Sequence, residues 1–331
     1  MKHYFYIWQL ENVPADPLVL AALCKSYGID GVAIKVLDGA SRFNTDGGND
    51  KRLKSMIDGL RGTGIDVELW GYHYPDSPGL QGDMIMERIE KLSTTVYLAD
   101  LEIEWEQPFG MPKAAETMFS KVKRGGLQVL MTGARFPLNF PNTPWDKLDN
   151  LVEIDGFDPQ IYWLGAHNPF DQAERCWQEY RDFTDKSIIP AGPCWGQNVK
   201  TAQGPVWWEP TAEELQQFRD WAVTRGIGKL YWWSLDWPLT HTRMDLVSFA
   251  TGVIPQEPPP DPGYDTYEAI VDPAKCRGLN ARVGPGTGNA AVLAFHPSSR
   301  VIVVGEDGDW RKIKLPADQE LWVHGYYLRK I

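Results

Sequence analysis

Strand and helix signals alternate from residue 3 to about residue 252, and this regularity limits the fold more than any motif in the chain does. The strand candidates are "HYFYIWQL", "GVAIKVLDG", "DVELWGYHY", "TVYLADLEIE", "LQVLMTGA", "GFDPQIYW", "SIIPAGPCW" and "GKLYWWSLDW". Between and after them run "DPLVLAALCKSYG", "NDKRLKSMIDGLRGTG", "LQGDMIMERIEKLS", "MPKAAETMFSKVKRGG", "PFDQAERCWQEYRDFT" and "TAEELQQFRDWAVTRG", with apolar residues near helical spacing. Two shorter helices are expected in "WDKLDNLV" and "RMDLVSFATG". The first helix carries its own punctuation: Asp16 to cap it, Pro17 in its first turn and Gly28 to end it. Eight strand–helix units over roughly 250 residues are the plan of an α/β chain folded as a (β/α)8 TIM-type barrel. An open doubly wound sheet is the structural alternative, and no G-x-G-x-x-G follows the first strand to support it.

The pattern breaks at "VIPQEPPPDPGYDTY", whose prolines favour a stiff, extended linker. Beyond it, short β-rich runs are separated by Gly, Pro, Asp and Asn turns, as in a small all-β barrel. The expected division is a barrel over 1–253, a linker over 254–264 and a β domain over 265–331.

The stretch "VYLADLEIEWE" needs a separate explanation. With period two, Tyr97, Ala99, Leu101, Ile103 and Trp105 share one face of a strand. Leu98, Asp100, Glu102, Glu104 and, if the strand continues, Glu106 share the other. Burying such a column is costly, since like charges repel and each carboxylate loses water. The carboxyl end of a barrel strand is where catalytic groups sit, and neighbouring carboxylates there acquire separated pKa values for acid–base work. The bland alternative is a solvated rim with ion pairs to Lys35 or Arg135.

Other strand ends add to this rim. The third contributes Tyr72, His73 and Tyr74, the sixth Asp158, Gln160 and Tyr162, and the eighth Trp233 and Asp236. Aromatic faces with short polar groups around carboxylates suit a carbohydrate better than a phosphate, which the carboxylates would repel. His73 alone reads as a hydrogen-bonded structural histidine. Trp232 and Trp233 point to opposite faces, and parity leaves open which points inward. No metal-ligand spacing and no cofactor motif is read.

The formal net charge of -11 argues against a partner bound through its phosphates, so no nucleic acid is expected. Cys24, Cys176, Cys194 and Cys276 fit neither a zinc site nor a disulfide framework and read as reduced. The opening "MKHYFYIWQLENVPAD" has too short an apolar run for a signal peptide, and no run reaches membrane-span length. Synthesis in the cytoplasm without membrane insertion is therefore expected.

The barrel resembles glycoside hydrolase family 25, the lysozyme-like muramidases. "GIDGVAIKVLDGASRFN" is similar to that family's second strand and turn, "VELWGYHYPD" to its third with G-x-Y-H at Gly71 to Tyr74, and "VYLADLE" to its fourth, ending D-x-E. The resemblance implies Glu102 as general acid and Asp100 as the carboxylate assisting through the substrate's N-acetyl group. The first strand departs from the family by lacking an Asp, the second has Asp38 where Glu is commoner, and Glu104 is extra. "LEIEWEQP" also resembles the fourth strand of family 18 chitinases, and on that register Glu106 is the acid with Glu102 and Glu104 as partners.

The tail resembles a bacterial SH3 domain, in "LNARVGPGTG", the "GDW" turn and "LWVHGYYL". That resemblance implies cell-wall binding, with Trp310, Trp322 and Tyr327 as candidate contacts; the bland reading makes them core. Together the resemblances imply a peptidoglycan-degrading hydrolase of endolysin type, acting on the cell wall after phage-type release. A non-catalytic glycan-binding barrel is the rival from another class.

Overall fold

The computed structural model describes residues 1–107, 109–122, 125–201, 204–255, 267–315 and 320–331. The expected linker falls almost wholly outside them.

Parallel strands close into a barrel. In chain order they are Lys2–Ile7, Gly31–Asp38, Asp66–Tyr72, Val96–Leu101, Gln128–Gly133 and Gly156–Pro159, then a seventh strand split into Ser187–Ile188 and Ala191–Pro193, and last Lys229–Trp233. Each pairs in parallel with its neighbour. The last strand closes the ring by pairing with both the first strand and Ala191–Pro193. The open-sheet alternative is thereby excluded.

Helices fill the crossovers. The first, Pro17–Ser26, is capped by the Asp16 side chain, which accepts the Leu18 N–H, and Gly28 follows it at φ 66°. The helix Ala212–Thr224 starts with a reciprocal capping box between Thr211 and Glu214. After the eighth strand, the expected helix Met244–Thr251 is preceded by an additional one, Asp236–His241.

Alternation along the strands divides the side chains between two cores. Phe5, Ile7, Ile34, Leu69, Tyr97, Ala99 and Trp232 belong to the layer between strands and helices. Tyr4, Tyr6, Ala33, Trp70, Leu98, Leu130 and Tyr231 fill the barrel interior. The interior of this barrel is unusually aromatic, and its polar tips need partners. The Tyr231 hydroxyl donates to Glu68 at 2.5 Å, and Lys229 pairs with the same carboxylate at 2.6 Å.

The tail forms an antiparallel sheet around its own core of Ala269, Val271, Leu279, Ala281, Val303, Ile313 and Val323. A 3-10 turn, Gly325–Tyr327, returns the chain so that its last strand pairs with the tail's first at Val271↔Leu328. Cys24, Cys176, Cys194 and Cys276 are unpaired thiols. Among the described residues no helix is long and apolar enough to cross a membrane.

Candidate active site

One ladder row builds the mouth of the barrel. Tyr72 pairs with Asp100, Asp100 with Thr132, and Thr132 with Asp158, across the third to sixth strands. Paired residues share a face. Leu98 is inside the barrel, so Asp100, two residues on, is inside as well.

The strand does not continue to Glu106, as unbroken alternation required. It ends at Leu101, where the neighbouring fifth strand also ends at Gly133. With no further ladder partner, the chain turns into a 3-10 segment over Ile103–Trp105. Trp105 is fully buried and its indole N–H donates to the His73 carbonyl at 2.8 Å, which pins the turn. The upper half of the carboxylate column is therefore a turn.

Three of the carboxylates still converge. The Gln160 amide nitrogen donates to Asp100 Oδ1 at 3.1 Å and to Glu102 Oε1 at 3.0 Å. The Tyr72 hydroxyl donates to Glu104 Oε2 at 2.5 Å. Burial, reinforced by the charges of Glu102 and Asp158, holds the Asp100 carboxyl well above the usual carboxylate range. Glu102 is raised too, first by burial and then by Glu104, against the opposing effect of the Gln160 hydrogen bond. Two adjoining carboxyls that resist ionisation hold a proton to higher pH than isolated ones do.

Glu106 lies apart from this group. Its carboxylate accepts the Asn142 N–H at 3.0 Å, the Asn142 side-chain amide at 2.7 Å and the Thr143 N–H at 2.9 Å. It ties the loop after the fourth strand to the loop after the fifth.

Asp158 sits deeper. It is fully buried, accepts from the Tyr6 hydroxyl, and burial pushes its carboxyl up to about 7. Tyr6 was not singled out from sequence, although Tyr4 and Tyr6 alternate on one strand face and offered a signal. Trp70 is a second interior aromatic that sequence reasoning passed over.

The rim is aromatic. Trp233 packs against the interior cluster, edge-on to Trp70 at 5.4 Å and tilted on Tyr6 at 5.6 Å. Trp232 points outward among Phe5, His3 and Phe218. Tyr162 meets Trp195 edge-on at 4.7 Å. Tyr74 contacts Tyr72 at 5.1 Å and donates to Asp38 at 3.0 Å. Asp236 is buried where the eighth strand ends and accepts the Trp8 N–H at 3.3 Å, beside the end of the first strand.

The expected cations only partly offset the carboxylates: the Lys35 charge opposes the rise in Asp100 and Glu102 while its ion pair goes elsewhere. Lys35 pairs with Asp38 at 2.8 Å, its ammonium 4.5 Å from the Phe43 ring centre. Arg135 donates to the Tyr162 carbonyl and lies over Phe136. Among the described residues neither forms an ion pair with Asp100, Glu102 or Glu104. His73 is buried between Gln81 and Tyr97, and burial lowers it to about 4. Among the described residues no cluster of His, Cys, Asp and Glu is arranged to hold a metal.

In the tail, Trp310, Trp322 and Tyr327 are partly exposed. Trp310 meets His324 at 5.3 Å, and His324 meets Tyr327 at 5.7 Å. Trp310 and Trp322 are not members of the tail's buried core, against the bland expectation, whereas Tyr327 packs against it.

No family model and no curated protein matches the sequence. Solved structures match it in fold. A chitinase from Chromobacterium violaceum superposes with a TM-score of 0.55 at 11% identity, over 77% of this chain and 99% of the other. The spore cortex-lytic enzyme SleL of Bacillus cereus gives 0.54 at 10% identity, over 75% of this chain and 74% of the other. A family 18 chitinase from Pseudoalteromonas aurantia gives 0.54 at 12% identity, over 77% of this chain and all (100%) of the other. What the chain shares with them is the barrel.

Proposed function

We propose that the barrel is a glycoside hydrolase acting on a β-linked, N-acetylated glycan, with peptidoglycan as its substrate. The observation that carries this is one amide, Gln160, holding Asp100 and Glu102 together at the floor of an aromatic-rimmed mouth. The fold likeness to chitinases and a cortex-lytic enzyme supports the reaction class. The choice of a lysozyme-type bond rests on the motifs of the second to fourth strands.

On this reading burial raises both carboxyls of the pair, and Glu102 gives the proton they hold to the glycosidic oxygen as the bond to the sugar's anomeric carbon breaks. The substrate's acetamido oxygen attacks that carbon from the other side and forms a cyclic intermediate. Asp100 accepts a hydrogen bond from the acetamido N–H and holds the group in line. Water then opens the ring, and its proton returns to the Glu102 carboxylate. No protein nucleophile is required, which fits two carboxyls on one strand end. Glu104 fixes Tyr72, and Tyr72, Tyr74, Tyr162 and Trp233 offer rings to the apolar faces of sugars. Asp158 and Asp236, both buried, brace the first strand from inside and from its end. Trp310, Trp322 and Tyr327 are the proposed wall contacts of the tail.

The test is Glu102→Gln, which keeps shape and removes the transferable proton. Release of reducing ends from purified cell walls should fall by ~10²–10⁴-fold with the melting temperature unchanged. Activity within tenfold of wild type would remove Glu102 as the acid. If Glu106→Gln is the dead variant instead, the chitinase-like register is right. Mass spectrometry of the fragments separates peptidoglycan from chitin-type products.

A further inference from the structure

The loop after the seventh barrel strand carries a feature that the carboxylate site does not use. Gln197–Thr201 and Gly204–Trp208 pair as an antiparallel hairpin ending in two consecutive tryptophans. Alternation sends these to opposite faces. Trp208 is 3% exposed and meets Trp195 edge-on at 5.9 Å, and Trp195 in turn meets Tyr162 of the mouth. It anchors the hairpin to the barrel. Trp207 is 52% exposed.

That exposed ring is nevertheless held in place. It stacks on Trp237 with centroids 6.3 Å apart and planes 30° apart, and Trp237 stacks on His241 at 4.2 Å and 9°. Its indole N–H donates to Glu209 Oε2 at 3.2 Å, and Glu209 is paired with Arg243. Trp237 directly follows Asp236, so the stack stands on the same carboxyl-end face of the barrel as Asp100 and Glu102. A large apolar ring left in water yet fixed in orientation is the mark of a contact surface.

We propose that Trp207 is the platform of an accessory sugar-binding subsite, which holds a ring of the glycan chain beyond the bond being cleaved. This rests on the glycan-hydrolase reading. Position selects the occupant: the contacts from Tyr162 through Trp195 to Trp208 fix the hairpin beside the mouth, and Trp207, the adjoining residue on that strand, stands on its open face. Chemistry agrees with it. Trp207 offers a half-exposed aromatic ring, which matches the C–H face of a pyranose better than an aliphatic chain.

The experiment compares wild type, Trp207→Ala and Trp207→Phe on the trimer and the hexamer of β-linked N-acetylglucosamine, with thermal melts on all three. The ratio of kcat/KM for hexamer over trimer should fall about tenfold in Trp207→Ala, the equivalent of ~1.4 kcal/mol, and the change should lie in KM. Trp207→Phe should recover most of it. An unchanged ratio in an active enzyme overturns the subsite and leaves the hydrolase reading intact. If wild type cleaves neither oligomer, that reading fails for this glycan, and calorimetric titration with the hexamer decides the platform. Heat lost only in Trp207→Ala supports it, and equal heats, or none in wild type, overturn it.

Discussion

Gln160 governs the pair because a single amide serves two carboxyl groups. A donor stabilises the ionised form, so its hydrogen bond holds Glu102 below the value that burial alone would set. In Gln160→Met the shape is kept and the donor lost. The Glu102 pKa should rise, the protonated acid should persist to higher pH, and the basic limb of the activity profile should move upward while kcat falls. A pH–rate series on cell walls reads both. Asp158 offers a pH test of stability. Its folded pKa of about 7 lies above the ordinary carboxylate value because of burial. The folded state therefore binds more protons than the unfolded chain between those two values, and stability falls as pH rises through that window. Denaturant melts from pH 4 to 8 should show this decline in wild type and a shallower one in Asp158→Asn, where only the other raised carboxyls, Asp100 and Glu102 among them, still contribute. Period two in "LADLE" was enough to turn Asp100 inward with Leu98. Nothing local showed that Gln160 would join Asp100 to Glu102, or that Tyr6, from the first strand, would meet Asp158.

Among the elements, the eighth strand turns on the two tryptophans whose parity was open. The barrel places Trp233 inside, against Trp70 and Tyr6, and Trp232 outside, against Phe218. Trp232→Ala should cost roughly 3–5 kcal/mol of stability, since it empties a fully buried site. Trp233→Ala should mainly weaken oligosaccharide binding and slow turnover, because Trp233 is partly open to the mouth. Melts and titrations on the two variants separate these effects. The fourth strand teaches the opposite lesson. Its alternation reads on to Glu106, but a strand lasts only while its neighbours supply ladder partners, and Gly133 is the last of these. The hairpin at 197–208 went unread for a related reason: it lies on the surface, so its sequence carries no core-facing stripe.

At the scale of the molecule, barrel and tail have separate hydrophobic cores. Each can bury its apolar surface without the other, as independent folding requires. Residues 265–331 expressed alone should therefore give a cooperative melt and sediment with purified cell walls. A folded tail that stays in solution while the barrel sediments would reverse the proposed division of labour.

Local order was the part of this protein that its sequence determined. The succession of strands and helices, the caps at Asp16 and Thr211, and the inward turn of Asp100 follow from periodicity and short-range chemistry, which act over a few residues. Tertiary structure alone decided which tryptophan faces inward, where the fourth strand stops, and that Glu106 closes a loop while Glu102 joins Asp100. These depend on the stagger between strands far apart in the chain. A shift of one residue in that register reverses every face, and no local pattern encodes it.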